Sequence, residues 1–260
     1  MAHAAVQTVK LTRRFGAKAA VDGVTLAVPE GQIYGYLGLN GAGKSTTIKM
    51  LTTLLRPTSG QAWVDGHDVQ RDPMGVRKVV GFVGDEGGPD ARPLWTGREY
   101  LQHFARLHRL SGVKKEVENV MDLMGLEPAA RRRPISTYST GMKRRVEVGR
   151  AFIGRPRVMF LDEPTRGLDL PAKREMWDFF RHLAKSEKVT MFLSSHEGNE
   201  IRYLCDRLSV IVNGRLSFSG RAAQLGQDPT TFENSLIRLL RGTGAGTPAP
   251  TPHAFQWSRA

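Results

Sequence analysis

Cysteine is almost absent from this sequence: Cys205 is the single thiol in 260 residues. One cysteine closes no internal disulfide, and no Cys/His cluster has zinc spacing, so a reducing cytosol is the natural compartment. Long apolar runs are missing too. None approaches the roughly 18 residues that a membrane-spanning helix requires, and the opening residues MAHAAVQTVKLTRR lack the apolar stretch of a secretory signal. Any membrane role is therefore expected to be peripheral. Acidic side chains are the minority charge, 25 Asp and Glu against 38 Lys and Arg, for a formal net charge of +13. The tightest basic clusters, Arg131 to Arg133 and Lys143 to Arg145, flank a glycine-containing turn and are not interleaved with aromatics. That argues against a specific nucleic-acid partner and predicts a solvated basic face, one that suits anionic lipid. What the chain does have is 40% apolar content spread along most of its length. This is enough to bury the core of one large domain, or of one domain with an inserted lobe.

Turn punctuation at Asp22-Gly23 and Pro29-Glu30-Gly31 separates short strands expected at Val6 to Leu11, Val24 to Val28 and Gln32 to Leu37. A glycine-rich loop follows, and then a helical pattern with Ile48, Leu51 and Leu55 on one face. Between about residues 87 and 150 the pattern becomes helical. Thr96 and Glu99 have the spacing of a capping box before Tyr100, Leu101, Phe104 and Leu107, and Val113, Val117, Val120, Met121 and Met124 line a second helix. Beyond residue 155 strands and helices alternate again, with strands at Val158 to Leu161, Val189 to Leu193 and Leu208 to Val212 and helices at Lys173 to Ala184 and Glu197 to Leu204. The fold class is therefore α/β with a mostly parallel sheet covered by helices. A second capping box, Thr230 with Glu233, predicts a helix over about residues 230–241, and the Gly-, Pro- and Thr-rich stretch 242–260 reads as a disordered tail.

Two motifs carry chemistry on their own. Gly38 to Thr46 reads GLNGAGKST, a full match to G-x-x-x-x-G-K-[ST], placed after a strand and opening a helix. Its small residues, Gly38, Gly41, Ala42 and Gly43, together with Asn40, let the backbone curl so that N–H groups face phosphate oxygens, and the helix start adds a favourable field. Lys44 would reach the β- and γ-phosphates of a nucleotide, and the Ser45 hydroxyl would ligate Mg²⁺ beside Thr46. Val158 to Glu163, VMFLDE, is an apolar strand ending in two carboxylates, where an α/β sheet binds its ligand. Asp162 would hold the Mg²⁺ shell, and Glu163 would polarise the water that attacks the γ-phosphate.

Further elements follow in an order that resembles the ATP-binding domains of ABC transporters over about residues 6–222. YSTGM, Tyr138 to Met142, is similar to the family's LSGGQ signature, Gly167-Leu168-Asp169 after DEPTR to its D-loop, and His196 after VTMFLSS to its switch histidine. Phe15, in LTRRFG, stands where the family carries an aromatic that stacks on adenine. Each has a plainer reading alone: Phe15 as core, His196 as a helix start, Ser139 as an N-cap for the helix that continues through Met142, Val146 and Phe152. Their joint order favours the family.

The resemblance implies a RecA-like P-loop NTPase core with an amino-terminal antiparallel β-layer and an inserted helical subdomain, all within residues 1–241. It implies that Ser139, Gly141 and Asp169 meet ATP held by a partner subunit, in a head-to-tail homodimer bound to a membrane permease on the inner face of the cell membrane. The family's glutamine after the segment Val79 to Val83 is replaced here by Asp85 or Glu86, which could still approach Mg²⁺. Thr140, Met142 and the following Lys143-Arg144-Arg145, with the carboxyl-terminal helix, resemble an exporter branch that pairs with separate six-helix permeases. An importer subunit or a non-transport ABC ATPase is the alternative. The transported substrate is not written in this chain.

Overall fold

The computed structural model describes residues 4–84 and 88–242. Asp85 and Glu86 lie outside those residues, as does the expected tail beyond Gly242. The chain opens with the hairpin β1 (Ala4–Phe15) and β2 (Lys18–Pro29), then β3 (Ile33–Leu37) and α1 (Lys44–Leu51). Next come β4 (Ser59–Val64), β5 (His67–Asp68), α2 (Pro73–Val79) and β6 (Val80–Val83). Three helices occupy the insert: α3 (Gly97–Leu107), α4 (Val113–Leu123) and α5 (Thr140–Phe152). Alternation resumes through β7 (Val158–Asp162), α6 (Leu170–Glu187), β8 (Thr190–Ser195), α7 (Gly198–Leu204) and β9 (Arg207–Val212). β10 (Arg215–Arg221) and α8 (Pro229–Leu240) follow.

Two sheets result. One is antiparallel with order β2-β1-β4-β5; the other has order β10-β9-β3-β8-β7-β6 and is parallel except where β10 pairs with β9. Strands β3, β7 and β8 are buried along their whole length, which is why IYGYL, VMFLD and TMFLSS read as near-continuous apolar runs and not as alternating ones. One core joins Val6, Leu26 and Val64 of the antiparallel sheet to Ile48 of α1 and to Tyr36, Phe160 and Phe192 of the parallel sheet. Phe192 sits at its centre, with ring centroids 5.8 Å from Tyr34, 5.1 Å from Tyr36 and 5.5 Å from Phe160. A second core runs from Leu161 and Leu193 through Phe152 and Phe180 into Val120 and Met121 of the insert. Both cores brace the carboxyl ends of β3, β7 and β8.

Thr96 caps α3 with Glu99 in a full capping box, as the spacing predicts. At α8 the cap differs from the Thr230/Glu233 expectation: Asp228 accepts from Thr231 N, and Pro229 occupies the first turn. Proline there has its φ preset for a helix and leaves the preceding aspartate to cap. In the basic clusters Arg132 and Arg133 are exposed, as a solvated face requires, but Arg131 differs. Arg131 is buried, donating to Leu126 O at 2.7 Å and pairing with Glu118 at 3.1 Å and Asp122 at 2.5 Å. Lys143 and Arg144 pair with Asp90 and Glu147 within the helical insert, and Arg145 pairs with Glu175 on α6. Cys205 is buried as expected, and burial pushes its thiol well above the ordinary range. Among the described residues no helix is long and apolar enough to cross a membrane.

Candidate active site

The glycine-rich loop is stretched between β3 and α1 and anchored from three sides. Gly38 N donates to Ser195 O at the end of β8, Gly214 N donates to Ala42 O, and Tyr36 Oη meets Thr47 Oγ1 across the strand–helix junction. Gly43 takes φ 110° at the N-cap of α1, and a Cβ there would stand 2.4 Å from Ala20 O. Gly38 is equally confined, since its Cβ would meet Ile211 O at 2.6 Å. Backbone alone fits at both positions. No side chain caps α1, so the start of the helix is open to an anion. Ala42 is buried, Thr46 half-buried, and Asn40, Gly41 and Ser45 are exposed along the loop.

Lys44 is buried at the foot of this loop, donating to Gly38 O at 2.7 Å and Leu39 O at 3.3 Å. Its ammonium also lies 3.1 Å from Glu163 Oε1. The other carboxylate oxygen, Oε2, is 2.5 Å from His196 Nδ1. Sequence positions 44, 163 and 196 therefore converge on one carboxylate. Glu163 holds φ 50°, a left-handed conformation that costs a non-glycine residue about 1–3 kcal/mol and is characteristic of functional sites. Its N–H is fixed by Ser194 O at 3.2 Å and Ser194 Oγ at 3.1 Å, and the same hydroxyl donates to Asp162 Oδ1 at 2.5 Å. Ser194 is a site residue that motif reading passes over; its only sequence signal is a serine pair closing an apolar strand just ahead of His196.

A second group of expected residues gathers elsewhere. Ser139 caps α5 by accepting from Met142 N at 3.2 Å, and Asp169 caps α6 by accepting from Ala172 N at 2.9 Å. Both line one cleft of about 690 Å³ with Thr140, Gly141 and Met142, and Lys44 is not among its walls. A Cβ at Gly141 would meet nothing within 4 Å, so the start of α5 is open. Phe15 stands apart at the tip of the first hairpin, 50% exposed, with the Arg13 guanidinium 4.6 Å from its ring centroid. Asp85 is outside the described residues.

A nucleoside triphosphate with Mg²⁺ fits this donor set. The loop offers backbone N–H groups and one buried cation, and Ser45 and Asp162 are oxygen ligands suited to a hard cation. Among the described residues no cluster of three His, Cys, Asp or Glu forms a preformed metal cage.

The family comparison agrees with this geometry. The chain belongs to the ABC transporter family, whose sequence pattern matches residues 21–166. It is an ATP-binding domain of that family, which hydrolyses ATP to power transport. Among characterised relatives, the daunorubicin/doxorubicin resistance ATP-binding protein DrrA of Streptomyces peucetius is 40% identical over 237 residues, covering 90% of this chain and 70% of that protein. Among solved structures, CbiO1 of Clostridium perfringens, part of the transporter complex cbiONQ, aligns with a TM-score of 0.80 at 24% identity, covering 92% of this chain and 97% of that one. The dimeric ATP-binding cassette MJ0796, bound to ADP and Pi, aligns with a TM-score of 0.72 at 23% identity over 83% of this chain and 98% of that one.

Proposed function

We infer that this chain is the ATPase subunit of an exporter, acting as a head-to-tail homodimer on the inner face of the cell membrane and driving a permease that is a separate polypeptide. The carrying observation is the convergence of Lys44 and His196 on the two oxygens of Glu163 beside an uncapped helix start. Bound ATP with Mg²⁺ supplies an activated γ-phosphoryl group whose negative charge the ion offsets. In this reading Lys44 would hold the β- and γ-phosphates, the backbone from Gly38 through Thr46 would cradle them, and Ser45 and Asp162 would ligate Mg²⁺, with Asp85 assigned to the ion by the family resemblance alone. Glu163 takes the proton from the attacking water, and His196 orients the carboxylate. Phe15 offers its exposed ring to the adenine.

Support for the dimer comes from the separation of the two groups. Ser139, Gly141 and Asp169 share a cleft that Lys44 does not line, so a site containing both groups calls for two chains facing each other. The MJ0796 cassette, of the same fold, is dimeric in its ADP- and Pi-bound structure. Export is favoured by the resistance function in the name of DrrA, and by the resemblance of YSTGM and the carboxyl-terminal helix to exporter subunits.

The test is fractionation combined with turnover. Wild-type chain should sediment with membranes when co-expressed with a candidate permease of about six apolar spans, stay in the supernatant without it, and hydrolyse ATP only with Mg²⁺ present. Sedimentation independent of any permease, or Mg²⁺-independent turnover, would contradict the reading.

A further inference from the structure

We propose that Glu200 is a positioning residue for ATP hydrolysis, pinning the segment that carries Glu163 to the segment that carries His196. The proposal rests on the reading of Glu163 as the base, and goes beyond it. Glu200 lies on α7, four residues past His196, and is 1% exposed. Its Oε1 accepts from Thr165 Oγ1 at 2.6 Å and from Trp177 Nε1 at 3.0 Å, and its carboxylate also accepts from the Ser195 hydroxyl. Three elements thus meet on one side chain. Thr165 is two residues past Glu163, Trp177 belongs to α6, and Ser195 is bonded directly to His196 in the chain.

A carboxylate in this place is expensive to bury, and an apolar side chain of similar size would fill the volume without that cost. What the carboxylate adds is direction: each donor fixes a bond length and an angle, whereas apolar contact fixes neither. The backbone at Glu163 is held on one side by Ser194 through its O and Oγ. Glu200 supplies the other side through Thr165. Between these two anchors Glu163 keeps its left-handed φ and its 2.5 Å contact with His196. Slackening the second anchor lets the base drift, and a misplacement near 1 Å lowers turnover by roughly 10²-fold in favourable cases.

The experiment compares Glu200→Ala, Glu200→Gln and Thr165→Val in the purified chain for kcat, ATP affinity and melting temperature. Glu200→Ala should lower kcat by about tenfold to a hundredfold while ATP affinity stays within about threefold. Glu200→Gln keeps Oε1 as acceptor and should return kcat to within about threefold of wild type. Thr165→Val, with Glu200 intact, should lower kcat in the same direction, and it carries the test if the alanine variant does not fold. Leu26→Ala, in the separate core that holds the antiparallel sheet, is the control for destabilisation alone. Wild-type kcat in folded Glu200→Ala or in Thr165→Val would overturn the proposal. So would a glutamine variant as slow as alanine, or an equal kcat loss in Leu26→Ala. Glu163→Gln is run alongside: normal turnover there removes the base assignment itself, whereas a slow Glu163→Gln with a normal Glu200→Ala removes only the role of Glu200.

Discussion

Replacing Glu163 by glutamine removes a charge that Lys44 and His196 share, and the structure predicts opposite effects on turnover and on binding. The carboxylate meets both partners at once, Lys44 at 3.1 Å and His196 at 2.5 Å, whereas an amide has only one oxygen to offer. Loss of a general base lowers turnover by about 10²- to 10⁴-fold. Binding moves the other way, because in the nucleotide-free chain Glu163 competes with the phosphates for the Lys44 ammonium. The two side chains are 6% and 11% exposed, so water screens them little. A hydrogen bond to a charged group contributes about 1.5–3 kcal/mol and a neutral acceptor roughly half of that. The free state therefore loses about 1 kcal/mol, which tightens ATP binding roughly fivefold. Phosphate release gives the rate, and calorimetric titration with ATP gives the affinity. Near-normal turnover would reject Glu163 as the base. Slow turnover with affinity weakened tenfold would refute the competition argument and point to a collapsed cradle.

Three further outcomes follow from the packing. Gly43→Ala forces a Cβ to 2.4 Å from Ala20 O at φ 110°, a cost of about 2–4 kcal/mol that lowers Tm by roughly 4–16 °C in a thermal melt and weakens ATP binding. Arg131→Met strips Glu118 and Asp122 of their shared cation; both are partly exposed and can turn to water, so the loss is about 2 kcal/mol and roughly 4–8 °C in Tm, with ATP affinity unchanged. Burial raises the pKa of the Glu200 carboxyl above the ordinary carboxylate range, so its contribution to stability is complete below that range and is lost as pH rises through the raised value. Melts of Glu200→Gln and wild type should therefore diverge in favour of the variant between acid and neutral pH, and parallel curves would contradict the buried titration.

The parts of this fold that sequence made legible are those governed by local rules. GLNGAGKST needs backbone-only positions at Gly38 and Gly43, and composition alone marks them. Thr96 and Glu99 close their capping box within one helical turn. Strands β3, β7 and β8 announce themselves by apolar runs because both faces are buried. What stayed hidden depends on distance. β4 carries few apolar residues and gains its place by pairing with β1, about fifty residues earlier in the chain. Arg131 is buried where its cluster predicts exposure, because Glu118 and Asp122, on α4, come to it only when the insert folds. The Lys44–Glu163 pair joins the residues that follow β3 and β7, and Thr165 and Trp177 reach Glu200 from the loop after β7 and from α6, far away along the chain. No spacing rule reaches that far. At Asp228 the reason is different: Thr230 and Glu233 also have capping-box spacing, and Pro229 decides between the two caps.

Complementation between two inactive variants tests most directly whether two chains share each ATP site. One protomer carries Lys44→Ala, and its partner carries Gly141→Asp, whose carboxylate would repel the γ-phosphate at the open start of α5. Each homodimer then contains two damaged sites. In the mixed dimer both lesions fall into one composite site and leave the other intact. Random pairing makes about half the dimers mixed, each with one working site, so about a quarter of wild-type turnover should return when the sites act independently. The assay requires protein concentrated enough to dimerise, wild type active under the same conditions, and a double variant as the blank. Recovery near a quarter is the predicted result; no recovery with mixed dimers demonstrated in solution would contradict independently working sites shared between two chains.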